Sequence, residues 1–306
     1  MRLRKWIVLF FCVGQLGFGE SSDQEYWDAQ KEEFLEKGYV WIKHFYSPEQ
    51  VLLLRAWAET IDRDALNLFS LSYMTGVSLQ TLAQNIAGAL IVVPEVSDPL
   101  KVCRAEDLLT CYPDLYWFTS GTLTTYLGKM LQEPYVLFKD KINFKWPGGG
   151  AFTPHQDFPA FEFFGPREHV TAMVCIDRAT IENGCLYIAQ DWKKSLKNDF
   201  PEIEEGNFVL PYVEGGKNHG SIVPSVSEKI RWLPILAEPG DVVFFDSFVP
   251  HYSEKNQSEG PRRALFLTHN RLKEGEHREA YYRTKRADPD NPMFHFGTPT
   301  KARTKE

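Results

Sequence analysis

The chain has 306 residues, 43% hydrophobic and 14% aromatic, enough for one sizeable core. Its formal net charge of −7 gives no electrostatic support for nucleic-acid binding, so nucleic acid is not expected among its partners. No internal repeat, low-complexity tract, phosphate loop or Ser-His-Asp nucleophile motif is present.

At the amino terminus, Arg2, Arg4 and Lys5 precede the apolar run Trp6–Val13, and Gly17-Phe-Gly19 resembles a small-x-small cleavage site. Residues 1–19 therefore read as a signal peptide for the secretory pathway or export, leaving 20–306 as a single domain. A start codon placed upstream of a cytoplasmic protein is the alternative. The apolar run falls short of the about 20 residues that a membrane span needs, so no stable span is expected.

Ser47-Pro-Glu-Gln50 has an N-cap serine, proline at N1 and glutamine at N3, which predicts a helix running to roughly Leu66. Leu53, Leu54, Trp57 and Ile61 would form its core face. Further helices are predicted over Leu79–Ala89 and Gly121–Leu131. From Tyr135 the chain turns strand-like, with runs at Tyr135–Phe138, Ile142–Trp146, Val170–Ile176, Cys185–Ala189, Val242–Phe245 and Ala264–Asn270. Gly, Pro and Asn punctuate these runs. The stretch 192–234 reads as an irregular insertion that could cover a site. The expected fold is mainly β with flanking α-helices. No feature of the sequence sets an oligomeric state.

Beyond the leader, Cys103, Cys111, Cys175 and Cys185 match neither a disulfide framework nor a zinc site. Cys175 and Cys185 fall on predicted strands and would pack as small apolar residues. Cys103 and Cys111 could form a disulfide in an oxidising compartment.

The chemistry gathers around His155-Gln-Asp157 and His251. Two histidines and one carboxylate are the facial ligand set of non-haem Fe(II), with positions left open for oxygen and a co-substrate. On a strand, His155 and Asp157 would share a face and Gln156 would point away. A lone His-x-Asp arises easily by chance in a chain with 8 His, so the surroundings matter. Lys141–Gly150 reads as an alternating strand ending in a Gly-rich turn, Pro239-Gly240-Asp241 is a turn before Val242–Phe245, and Arg262-Arg263 opens another apolar run.

The segment from about Lys141 to Asn270 resembles the phytanoyl-CoA dioxygenase-like family of Fe(II)- and 2-oxoglutarate-dependent oxygenases. The resemblance rests on the Pro-Gly-Gly turn, Thr153-Pro-His-Gln-Asp157, Glu182-Asn-Gly-Cys185, Pro239-Gly-Asp-Val, Pro250-His251 and Pro261-Arg-Arg-Ala264. It implies a double-stranded β-helix, the jelly-roll also found in cupins, and the cofactors Fe(II), 2-oxoglutarate and O2. By the same resemblance His155, Asp157 and His251 are the iron ligands and catalytic centre. Arg262 and Ser253 hold the distal carboxylate of 2-oxoglutarate, and Met173 lies beside the co-substrate. Strand alternation does not choose between Arg262 and Arg263; the eleven-residue gap after His251 favours Arg262. The carboxylate of Asp157 argues for hydroxylation, since halogenating relatives lack it. The implied reaction is hydroxylation of an unactivated C–H bond, with release of succinate and CO2.

The substrate is less sharply written. Lys141, Asn143 and Lys145 alternate just before the ligands, and Arg167, His169 and Arg271 add basic groups. They suggest an anionic substrate, though ordinary solvated charges would look the same. Phe158, Phe161, Phe163 and Phe164 could line a channel or cover the core. Thr268-His-Asn-Arg271, Glu274-Gly-Glu-His277-Arg, Ala280-Tyr-Tyr282 and Phe296-Gly-Thr-Pro299 resemble the subgroup that includes small-molecule phosphonate hydroxylases. A small anionic metabolite is thus the expected substrate. The alternatives are an acyl-CoA or lipid substrate, and a catalytically inactive jelly-roll that binds a ligand or protein.

Overall fold

The computed structural model describes residues 20–297 except 80, 83–89, 96–97, 206, 217 and 290. The leader expected over 1–19 and most of the helix expected over Leu79–Ala89 lie outside the described residues. No helix among the described residues is long and apolar enough to cross a membrane.

The strands are β1 (Tyr39–Ile42), β2 (Ile91–Pro94), β3 (Val102–Glu106), β4 (Tyr135–Asn143), β5 (Phe152–His155) and β6 (His169–Cys175). They continue with β7 (Leu186–Gln190), β8 (Arg231–Ile235), β9 (Val242–Asp246), β10 (His251–Ser253) and β11 (Ala264–Arg271). A seven-stranded sheet runs β1-β9-β6-β11-β4-β3-β2, and a four-stranded sheet runs β5-β10-β7-β8. Neighbouring strands are antiparallel throughout. This is the expected jelly-roll with flanking helices.

Alternation along the central strands sorts side chains into two cores. Ala172, Val174, Phe244, Leu265 and Leu267 face the helices, joining Leu54, Ala58 and Ile61 of the helix Pro48–Thr75 and Leu123 and Leu127 of the helix Thr122–Leu131. Met173, Cys175, Val243, Phe245 and Ala264 face the smaller sheet and meet Leu186, Ile188 and Ile235. Both faces of β6, β9 and β11 are covered, which is why their sequences read as apolar runs rather than clean alternations.

The capping box at Ser47 forms: Ser47 Oγ accepts from Gln50 N at 3.3 Å, and Gln50 Oε1 accepts from Ser47 N at 2.8 Å. The helix continues to Thr75, past the expected end near Leu66, before closing on left-handed Gly76. Its buried positions are Val51, Leu54, Ala58, Ile61 and Ala65; Leu53, expected in the core, is 45% exposed because it lies off that stripe. Two further expectations change. Tyr135–Phe138 and Ile142–Trp146 belong to one strand that ends at Asn143, so Lys145, with φ 32, leaves the strand face. Cys103 and Cys111 are separate thiols, not a disulfide.

The insertion has order of its own. Trp192, Leu196, Ile203, Leu210, Ile222 and Val226 pack with Ala189 into a small core. Its last residues form β8, which extends the smaller sheet beyond β7.

Candidate active site

His155 on β5 and His251 on β10 are register partners directly across the smaller sheet. Their ring centroids lie 4.3 Å apart. Each ring donates from Nδ1 to the carbonyl two residues earlier, His155 to Thr153 at 2.6 Å and His251 to Val249 at 3.0 Å. These bonds fix the tautomer and leave each Nε2 lone pair free to bind a metal.

Asp157 arrives differently from the expectation. The strand stops at His155, and Asp157 takes helical dihedrals (φ −76, ψ −31) as the first residue of the turn into Phe158–Phe161. That turn, rather than strand alternation, brings the carboxylate to the histidines, with Asp157 Oδ1 3.8 Å from His155 Nε2. One donor atom from each of the three residues lies within 4.8 Å of the others. Gln156 does point away, and it is far from idle. Its Nε2 donates to Phe208 O at 2.9 Å and Phe248 O at 2.6 Å, while its Oε1 accepts from Leu210 N at 2.7 Å. One buried amide thus ties the end of β5 to the insertion and to the segment leading into His251.

The electrostatics suit a cation. Burial, then the neighbouring His251, pushes His155 down to about 3, and burial also lowers His251. Burial opposes ionisation of Asp157, yet the groups around it, Lys139 and Lys141 among them, hold it below the usual carboxylate range. Two neutral imidazoles and one carboxylate converge, the donor forms and types that fit divalent iron.

On one side of this cluster lies a cavity lined by Asn143, Phe245, Ser253, Arg262 and Phe266, among others. Arg262 is buried there, with Nη2 donating to Gly184 O at 2.9 Å and Nε without a partner. Arg263 turns the other way and is held by both carboxylate oxygens of Asp177, at 2.7 and 2.9 Å. Lys145, expected on the substrate side, instead donates to Ser253 Oγ at 2.8 Å and to Glu254 O beside Arg262. Burial and then the charge of Arg262 push its ammonium down to about 6. Gly184, with φ +73, makes this crowding feasible: a Cβ there would collide with Glu254 O and stand 2.9 Å from Lys145 Nζ. Asn143 lines this cavity rather than the other. Met173 packs in the layer between the sheets and is not among the lining residues.

The second cavity adjoins the first, with Phe152, His155 and Asp157 lining both. It encloses ≈ 450 Å³ including its open mouth, and its charged lining residues are Arg104, Glu106, Lys139, Lys141, Asp157 and Lys285. Lys141 borders both cavities. Glu106 is committed: Lys285 Nζ lies 2.7 Å from both its oxygens, and Arg104 Nε is 2.8 Å from one. Burial pushes Lys139 down to about 7 and lowers Lys141. Arg104, Lys139, Glu106 and Lys285 are site-lining residues that sequence reasoning missed. They lie on β3, on β4 and in the helix Arg278–Ala287, and only the fold brings them together.

Three sequence candidates fall elsewhere. Phe158 stacks on Phe248 at 4.2 Å, outside the cavity lining, whereas Phe161 does line it. Arg271 pairs with Glu133 at 2.7 Å and with Glu168, at the far end of β11. His169 is buried among Phe138, Phe158 and Phe161, and burial pushes it down to about 3, so it brings no positive charge.

Residues 34–264 match the family model for phytanoyl-CoA dioxygenase. The chain is 33% identical to the methylphosphonate hydroxylase of Gimesia maris over 266 residues, 85% of this chain and 86% of that one. It is 39% identical to a 2-aminoethylphosphonate dioxygenase of an uncultured bacterium over 188 residues, 60% of this chain and 65% of the relative. Among solved structures, EctD from S. alaskensis superposes with a TM-score of 0.60 at 17% identity, covering 80% of this chain and 77% of EctD. The alpha-ketoglutarate-dependent epimerase SnoN gives 0.56 at 15% identity over 83% of this chain and 85% of SnoN. At such identities these two structures speak to the fold.

Proposed function

The chain belongs to the phytanoyl-CoA dioxygenase family, and from that premise we propose that it is a 2-oxoglutarate-dependent non-haem iron dioxygenase hydroxylating a small phosphonate. The observation that carries this reading is the His155, Asp157 and His251 cluster bordering two adjoining cavities, one holding Arg262 and Ser253, the other rich in cations. His155, Asp157 and His251 would hold Fe(II). Arg262 and Ser253 would take the distal carboxylate of 2-oxoglutarate, a planar fork and a hydroxyl meeting a carboxylate. When bound, iron, 2-oxoglutarate and O2 supply the oxidising power to hydroxylate an unactivated C–H bond, with release of succinate and CO2.

The protein's own part is placement and exclusion. The Nδ1 bonds of the two histidines and the Gln156 staple keep the donors converged. Phe152 borders both cavities, while Phe161, Phe294 and Phe296 wall the second against water. Lys139 and Lys141 present ammonium groups beside Asp157, where an anionic headgroup would rest. The cations stand beside the metal ligands, where an acyl-CoA or lipid would place its apolar chain rather than a charged group. The intact donor set, with its imidazoles neutral and its carboxylate ionised, opposes a catalytically silent binding module.

Anaerobic titration of the Fe(II)-loaded protein with 2-oxoglutarate is expected to give a saturating visible charge-transfer band, absent in Asp157→Ala. Aerobic addition of methylphosphonate is then expected to stimulate succinate release in the unaltered protein alone. A folded, iron-loaded protein showing no band would sink the cofactor assignment. A band without stimulation by any phosphonate would sink the substrate class.

A further inference from the structure

The second cavity carries a charge imbalance that sharpens the substrate, resting on the phosphonate reading above. Its cationic side chains are Arg104, Lys139, Lys141 and Lys285; its carboxylates, among the described residues, are Glu106 and Asp157. Counted with every lysine protonated, two positive charges are left in excess. Fe(II) and a 2-oxoglutarate dianion would cancel each other, and Arg262 beside the co-substrate adds a further positive charge, so the excess does not fall. Lys139 and Lys141 stand beside ring faces and make no hydrogen bond or ion pair with a side chain among the described residues, which leaves their N–H donors available to an anionic ligand. A phosphonate dianion offsets this excess more fully than an aminoalkylphosphonate, whose ammonium gives back one positive charge.

A substrate ammonium would also find no carboxylate to pair with among the described residues of the lining. Glu106 is already bridged by Lys285 and Arg104, and Asp157 belongs to the metal cluster. Three of the aromatic rings that line the cavity, Phe161, Tyr281 and Phe294, already carry one of the protein's own ammonium groups. Lys139 Nζ lies 4.3 Å from the Phe161 centroid and 5.5 Å from Tyr281, and Lys285 Nζ lies 5.0 Å from Phe294 and 5.8 Å from Tyr281.

We propose that this cavity selects an unaminated alkylphosphonate, one whose only charged group is the phosphonate, and rejects aminoalkylphosphonates. The comparison that isolates the amine is n-propylphosphonate against 2-aminoethylphosphonate, which differ by a methyl in place of an ammonium. Dissociation constants for both are measured on the anaerobic Fe(II)- and 2-oxoglutarate-loaded protein, and kcat/KM for both by succinate release and phosphorus NMR of the product. The alkyl compound is expected to lead by about tenfold or more in both readouts, the scale of one uncompensated like-charge contact in a partly desolvated site. Lys285→Met, which removes one of the two cations bridging Glu106 and one positive charge from the cavity, is expected to narrow that preference. Equal or better binding and turnover of 2-aminoethylphosphonate by the unaltered protein would overturn the selectivity while leaving the phosphonate reading intact. Failure of both compounds, and of methylphosphonate, to bind would instead overturn the phosphonate reading itself.

Discussion

Arg262 enters its cavity just ahead of β11 with Nε unpaired, while its neighbour Arg263 is clamped by Asp177. The difference sets opposite expectations for the two truncations. Arg262→Ala removes a bidentate partner for a carboxylate, worth about 1.5–3 kcal/mol for a charged hydrogen bond. It is therefore expected to raise KM for 2-oxoglutarate by roughly tenfold to a hundredfold, with folding retained. Arg263→Ala is expected to leave that KM near its starting value and to lower Tm, because it strands the partly buried carboxylate of Asp177. Steady-state titration of 2-oxoglutarate and a melting curve for each variant decide this, and the reverse pattern would reassign the co-substrate cavity. Sequence spacing could favour Arg262 but could not explain it. The reason lies in Asp177 and in the carbonyl of Gly184, both remote in the chain. Lys145 was misread for a related reason: its backbone leaves the strand at φ 32, so counting by alternation placed it with Lys141.

Among the elements, β5 and its following turn bear most on the site. Gln156→Ala would leave the carbonyls of Phe208 and Phe248 and the N–H of Leu210 without their side-chain partner. Buried groups left unsatisfied cost about 1–3 kcal/mol each. The expected result is a lower Tm together with Fe(II) affinity weakened by about tenfold to a hundredfold, since the staple positions residues on both sides of it. Gln156→Glu, which keeps the acceptor but loses the donors, is expected to be no milder. Unchanged iron affinity in a destabilised Gln156→Ala protein would reduce Gln156 to a purely structural tie. The elements built on apolar runs, namely β6, β7, β9 and β11, are legible because burial writes itself into composition, whereas β4 shows only its two apolar ends because Lys139-Asp140-Lys141 interrupts it. β5 and β10 were seen only as motifs. They are 4 and 3 residues long, one contains Pro154 and both are rich in polar residues, so no periodicity can develop in them. β8 was hidden in the insertion because its pattern, Arg-Trp-Leu-Pro-Ile, is interrupted by proline and half exposed.

For the molecule as a whole, the site is a joint between parts that are far apart in sequence. The smaller sheet supplies His155 and His251, β3 and β4 supply Arg104, Lys139 and Lys141, the helix Arg278–Ala287 supplies Lys285, and the C-terminal segment closes over them. Thr153 N donates to Gly297 O at 2.9 Å, and a Cβ on Gly297 would stand 2.5 Å from the His155 ring. The metal donors were readable from local motifs, whereas the substrate cavity was not, because its residues meet only after both sheets and the last helix have assembled. That dependence makes ligand binding a probe of the assembled state. A ligand that binds only the folded form stabilises it by about 2.7 kcal/mol at one hundred times its dissociation constant. For a chain of this size that corresponds to a rise in Tm of roughly 5 °C. Anaerobic Fe(II) with 2-oxoglutarate is expected to produce such a rise in the unaltered protein, Fe(II) alone a smaller one, and Asp157→Ala almost none. A full shift in Asp157→Ala would mean that the ions bind elsewhere, and the absence of any shift in the unaltered protein would break the proposed link between the metal cluster and the joined sheets.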